Sequence, residues 1–223
     1  MIPLRDENPT TITPVVTMGL IAANVLVFLY QMSLGGSGEE LVYTFGAVPL
    51  ALFGGESLSP LPATLTLMTS MFLHGGFMHV GGNMLYLWIF GNNIEDVMGH
   101  GRFIVFYLIC GVAAAYAHAL SAPSSAVPMI GASGAISGVL GAYLLLFPRA
   151  QILTLIPLGF FTRLVHIPAM VVLGFWIVIQ FLNGTLSVGQ AGGGVAWFAH
   201  VGGFVAGMAL IRVFARPRLT RSR

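Results

Sequence analysis

The sequence predicts an all-α, polytopic membrane protein: a bundle of six transmembrane helices with the N- and C-termini on the cytoplasmic side. Three observations carry that expectation. First, of 223 residues only 7% are charged and 57% are apolar, with a mean hydropathy of +0.90, whereas a soluble domain carries about a quarter charged residues. Second, six apolar stretches lie near 14–34, 77–95, 102–121, 130–147, 165–183 and 196–214. Crossing a hydrocarbon core of about 30 Å takes about 20 helical residues, which these stretches approach or reach. Third, every basic residue is an arginine, and six of them (Arg5, Arg212, Arg216, Arg218, Arg221, Arg223) sit at the termini. Arg102, Arg149 and Arg163 fall in the two loops that six spans place on the same side, so one topology satisfies the positive-inside bias throughout.

The composition also removes function classes. A pI near 9 would suit a nucleic-acid binder, but the arginines flank apolar runs as membrane anchors do, and no nucleic-acid partner is expected. The single cysteine, Cys110, lies inside an apolar run, so neither a disulfide framework nor a cysteine metal site can be built. No His-Glu-x-x-His spacing occurs, and neither a metal nor another cofactor is expected. The carboxylates Glu95 and Asp96 are adjacent at a helix end, which is no arrangement for a paired intramembrane aspartyl centre. The N-terminus opens with polar MIPLRDENPTTIT and has no cleavage site before a long apolar run; the reading is a first span rather than a cleaved leader.

Taken in order, span one is introduced by Thr13 as N-cap and Pro14 as first helical residue, and it stops at Gly35-Gly36-Ser37-Gly38. Residues 35–76 form a long connection with Glu39, Glu40 and Glu56 but also the apolar run Ala47–Phe53, so short interfacial helices are expected rather than open coil. Span two ends at Glu95-Asp96 with Gly99 as its stop, and span three ends before the turn-forming Ser121-Ala122-Pro123-Ser124-Ser125. Span four is closed by Pro148-Arg149; its residues 131–147 reach only about 26 Å. Its outer end should therefore be recessed beneath an indentation that admits water. Spans five and six complete a single membrane domain over 1–223.

In this topology spans two, four and six all begin on the outer side, and His79, Ser133 and His200 lie within a few residues of those starts. Three separate loops thus bring polar groups to one depth. Gly134 and Gly138 on span four, and Gly203 and Gly207 on span six, form small-residue ridges that let two helices approach closely. A serine and a histidine have short reach, so that approach serves activation of Ser133 as a nucleophile. His79 and Asn83 share a helix face and, with the Ser133 amide, can donate to an oxyanion. Glu95 is twelve residues beyond Asn83, about 120° around and about 18 Å along the helix; it is read as bonding the 92–101 loop. His74 ties the outer loop to span two, His118 reaches the interface, and His100 and His166 are surface residues of the opposite side.

Together Gly131-Ala132-Ser133-Gly134, His79-x-x-x-Asn83 after Met71-Phe72-Leu73-His74-Gly75-Gly76, Glu95 within Gly91–Asp96, and Ala199-His200-x-x-Gly203 with Gly207 form an ordered set that resembles the rhomboid family of intramembrane serine proteases. The resemblance covers spans two through six. It implies a six-helix rhomboid-like bundle in which Ser133 is the nucleophile and His200 the general base, a dyad without an acidic third member. His79, Asn83 and the Ser133 backbone would stabilise the oxyanion. The partners implied are the lipid bilayer and single-span transmembrane proteins, cut near the tops of their helices at small residues and reached beside span five. Two features depart from the family pattern: a tryptophan-arginine pair would align near Leu65-Thr66 and is missing, and Ser137 stands where an aromatic usually supports the histidine. Two other readings are a pseudoprotease of the same fold that binds transmembrane helices without cutting, and a small transporter. The first normally lacks the serine or the histidine, and the second calls for polar groups at mid-membrane. The short chain without a transit peptide points to a bacterial or archaeal plasma membrane, with the oligomeric state left open.

Overall fold

The computed structural model describes residues 1–56, 59–158, 161–187 and 195–216. In chain order these form β1 (Ile2–Asp6), α1 (Val15–Ser33), α2 (Gly38–Phe45), α3 (Pro49–Leu52), α4 (Ala63–Thr69), α5 (Phe77–Met98), α6 (His100–Ser121), α7 (Ser133–Leu146), β2 (Gln151–Leu158), β3 (Phe161–Pro168), α8 (Ala169–Ser187) and α9 (Trp197–Phe214). Among the described residues four helices, α1, α6, α8 and α9, are long and apolar enough to cross a membrane. Helix α5 matches α6 in length but carries Asn83, Asn92, Asn93, Glu95 and Asp96. Helix α7 has only 14 residues, about 21 Å. The chain is thus a mostly helical, multi-pass membrane protein. Arg218, Arg221 and Arg223, and most of the connection before α9, lie outside the described residues.

The long connection after α1 is built from short helices, α2 to α4, and two single 3-10 turns at Gly35–Ser37 and Ser70–Phe72. Elsewhere three expectations need correction. The fold is not all-α: β1, β2 and β3 form an antiparallel sheet in that order, with Ile2 opposite Leu155 and Gln151 opposite Pro168. Residues 165–168, counted in span five, belong to its last strand. Apolar residues of β2 and β3 pair their backbone groups across a hairpin, while Phe161, Leu164 and Val165 remain exposed; an apolar run need not be a span.

The second correction concerns the start of α1. Its N-cap is Pro14, with no side-chain cap bond. The cap comes from α5 instead: the Glu95 carboxylate accepts the Val16 amide at 2.9 Å, the Thr17 amide at 2.8 Å and the Thr17 hydroxyl at 2.7 Å. His100 Nδ1 meets the same carboxylate at 2.6 Å, and Asp96 accepts the Thr11 amide and hydroxyl at 3.0 and 2.7 Å. A carboxylate at a helix N-terminus offsets both the orphan amides and the positive dipole end. Glu95 does bond within the 92–101 stretch, but its larger task is to fasten α1 to α5.

Helix α7 is the buried axis, with every residue from Gly134 to Tyr143 buried and α5, α6 and α9 packed around it. A β-carbon on Gly203 would collide with the Gly134 carbonyl, and one on Gly207 with the Gly138 carbonyl. Helices α7 and α9 are therefore in backbone contact, closer than the usual 8–10 Å axial separation of side-chain-packed helices. At the lower end of α7 the Tyr143 hydroxyl donates to Asp6 Oδ2 at 2.8 Å, which fixes β1 beneath the bundle. Burial pushes the Asp6 carboxyl above its ordinary range in spite of that bond.

Candidate active site

The third correction is where α7 begins, and it determines the site. The spacing of the sequence begins span four near Ile130, but the helix starts at Ser133 itself. Gly131 holds φ +117°, a region open to glycine, and its amide donates to the Ser70 carbonyl at 2.9 Å. Just before it, Met129 and Ala47 exchange two backbone hydrogen bonds of 2.8 and 3.0 Å. The lead-in segment is thus pinned to the outer connection, and Ser133 emerges as the first helical residue. Its amide is one of the first-turn N–H groups that have no intrahelical acceptor.

Across the α7–α9 contact, His200 Nε2 stands 2.8 Å from Ser133 Oγ. His200 is 8% exposed, so its ring is oriented by protein rather than by water. Nδ1 lies 2.7 Å from Gln180 Oε1 on α8, and the Gln180 amide nitrogen donates back to the Trp176 carbonyl at 3.3 Å. The Trp176 ring lies tilted against the imidazole at 5.7 Å, and Trp197 meets it edge-on at 6.3 Å. Ser137, where an aromatic was missed, donates to the Ser133 carbonyl at 2.6 Å. Aromatic support for the histidine is therefore present but comes from Trp176 on α8 and Trp197 at the start of α9. Neither Gln180 nor Trp176 figured among the sequence candidates. Gln180 left a signal: between Ala169 and Leu182 the run contains a single amide side chain, and a polar group inside an apolar span is a functional hypothesis in its own right; Trp176 left none.

His79 and Asn83 flank the segment leading to Ser133. A β-carbon on Gly131 would stand 2.7 Å from His79 Nε2 and 3.6 Å from Asn83 Nδ2. The Gly75 amide donates to His79 Nδ1 at 3.2 Å, which leaves the proton of the neutral ring on Nε2, the nitrogen facing the site. Asn83 Nδ2 is 2.9 Å from His74 Nε2; an amide nitrogen has two hydrogens, so this bond leaves one for the site. His74 itself is fully buried, and burial together with the neighbouring His79 ring pushes its pKa down to about 4. It joins the outer connection to α5 as a neutral ring. His100 and His166 are engaged by Glu95 and Glu7, at the other end of the molecule.

A cavity beside Ser133 is lined by Ser70, Gly111, Ala114, Ile130, Ala135 and Ala199, among others. Small residues share its walls with Met71, Met129 and Ile130, and the space they leave, about 30 Å³, suits a small side chain. Among the described residues no group of three or more His, Cys, Asp or Glu side chains is placed to hold a metal ion. The arrangement offers a hydroxyl, a base in contact with it, and donors facing the chain next to it, which are the parts needed for acyl transfer.

Comparison with known proteins adds an independent line. The family model described as Rhomboid domain matches residues 62–217. Among curated relatives, the rhomboid protease GluP of Bacillus subtilis (strain 168) is 32% identical over 199 residues, covering 88% of this chain and 35% of that protein. Rhomboid protein 1, mitochondrial, of Saccharomyces cerevisiae is 31% identical over 134 residues, 52% of this chain and 39% of the relative. The human presenilin-associated rhomboid-like protein, mitochondrial, is 29% identical over 190 residues, 82% of this chain and 47% of the relative. The chain spans roughly a third to a half of the length of these relatives. Several bear mitochondrial names, so the expectation of a bacterial or archaeal plasma membrane has no support from them.

Proposed function

The chain belongs to the rhomboid family, and from that premise we propose that it is an intramembrane serine endopeptidase in which Ser133 is the nucleophile and His200 the general base. The observation that carries this reading is the 2.8 Å contact between Ser133 Oγ and His200 Nε2, made at a helix N-terminus beside a small cavity. As Oγ attacks the scissile carbonyl carbon, its proton passes to Nε2. The carbonyl oxygen becomes an oxyanion held by the Ser133 amide, His79 Nε2–H and the free Asn83 N–H. Collapse breaks the C–N bond and returns the proton from Nε2 to the leaving amine; a water molecule then repeats the sequence to release the acyl group from Ser133.

The substrates proposed are transmembrane segments of single-span membrane proteins, cut next to small residues that suit the cavity formed with Gly111, Ala114 and Ala199. The membrane arrangement proposed is one domain over 1–223 with six spans and cytoplasmic termini. In it α5 and α7 cross beside the four helices that are long and apolar enough to span, and all nine arginines lie on one side.

The test is incubation of purified protein, in detergent and in liposomes, with a panel of single-span substrates, comparing wild type with Ser133→Ala. Wild type should cleave and Ser133→Ala should not. A fluorophosphonate should label Ser133 in wild type and fail to label it in His200→Ala. Equal cleavage by Ser133→Ala, or labelling indifferent to His200, would remove the mechanism. Wild type that captures the substrates without cutting them would favour a helix-binding pseudoprotease.

A further inference from the structure

We propose that Gln180 is a positioning residue that locks His200 in the tautomer able to accept the Ser133 proton, making the site a serine–histidine–glutamine relay with a neutral third member. The inference rests on the protease reading above and adds to it a residue on a helix that supplies no reacting atom.

An imidazole offers two nitrogens, and a neutral ring carries its proton on one of them. Activation of Ser133 requires that Nε2 present a lone pair, so Nδ1 must hold the proton. An acceptor facing Nδ1 enforces that choice, and Gln180 Oε1 stands there at 2.7 Å. A glutamine amide could equally turn its nitrogen toward the ring, which would invert the tautomer. Here the amide is fixed from the other side: Gln180 Nε2 donates to the Trp176 carbonyl one helical turn earlier, so the oxygen is left pointing at His200. The chain of bonds therefore has one direction. Ser133 donates to His200 Nε2, His200 Nδ1–H donates to Gln180, and Gln180 donates to the Trp176 carbonyl. Gln180 is 6% exposed, so water does not compete for its oxygen, and the Trp176 ring against the imidazole restricts rotation about the same histidine.

During the reaction the Nδ1 proton stays in place. His200 gains a proton on Nε2 from Ser133 Oγ and surrenders it to the leaving nitrogen, while Gln180 keeps the ring oriented through both transfers. Because an amide carries no charge, it selects the tautomer and angle of the ring without adding a buried carboxylate to an apolar bundle, where an unpaired charge is costly.

Selective 15N-histidine labelling in detergent micelles reads the tautomer directly, alongside cleavage and fluorophosphonate labelling. Wild type should show His200 as the Nδ1–H form. Gln180→Leu, which keeps the volume and removes the acceptor, should show the other or a mixed form. It should also lose about 10- to 100-fold in kcat with KM little changed, less than the loss expected on removing the base itself. Gln180→Glu, which retains an acceptor oxygen, should restore the Nδ1–H signal and most of the cleavage. The proposal is overturned if Gln180→Leu folds and cleaves like wild type, or if its ring spectrum matches the wild-type one. Should Gln180→Leu not fold, an Nε2–H wild-type spectrum overturns the proposal and an Nδ1–H spectrum retained in Gln180→Glu supports it. An inactive wild type would count against the protease reading alone, since the ring spectrum is read without turnover.

Discussion

Glu95 and Ser133 are both polar side chains enclosed in an apolar bundle, one near each end, and their hydrogen bonding differs in kind. Glu95 is fully buried and saturated: two amides, a hydroxyl and an imidazole converge on its two oxygens. Ser133 Oγ faces one base and a cavity. A buried group whose bonding capacity is filled holds elements together, because every partner would be left unsatisfied without it. A group with capacity to spare is available for chemistry. The same contrast separates the two histidines at the start of α5: His74 is enclosed on Asn83, whereas His79 turns Nε2 toward Gly131.

Substitution should pull these two ends apart. The largest effect is expected for Ser133→Ala, which should reduce cleavage by at least about 1,000-fold while thermal stability in detergent changes by only about 1 kcal/mol, the net worth of one hydrogen bond. The reverse holds for Glu95→Ala. Leaving the Val16 and Thr17 amides unpaired should cost about 3 kcal/mol or more, read as a lower melting temperature and separation of α1 under limited proteolysis. A Glu95→Ala protein as stable as wild type would break the comparison. Next in size, His79→Ala should lower kcat by about 100- to 1,000-fold, the loss typical of one oxyanion donor, without the stability change seen at Glu95. The smallest effect is expected at Ser137→Ala. Its hydroxyl bonds only the carbonyl one turn back, so activity should stay within about threefold and stability within about 0.5 kcal/mol. A large loss there would mean that Ser137, and not only Trp176, supports the histidine helix.

The depth argument from spacing correctly brought Ser133 and His200 together, because it used what a sequence records well: which turn of which apolar run a polar residue occupies. The glycine ridges were legible for the same reason. The sheet was not, since 148–164 reads as a loop and 165–168 as the start of a span, and what makes strands of them is pairing that begins with a segment some 150 residues earlier, a contact with no local trace. Gln180 and Trp176 were overlooked because they occur outside any ordered motif. Only the arrangement of α8 against α9 reveals that an amide and a ring meet the histidine. The cap on α1 was assigned to Thr13 by local rule, when a carboxylate from another helix had taken the position.

The pairing of β1 with β2 also has a temporal side. Ile2 finds its partner at Leu155, so β1 waits for the hairpin to be made. At ordinary translation rates of about 5–20 residues per second that interval is about 8–30 s. Through it the strand has no sheet to join, and Asp6 gains Tyr143 as a donor only near its end. The sheet is thus a late seal, closed after α7 has been synthesised, and it makes the N-terminal segment a natural place to watch assembly finish.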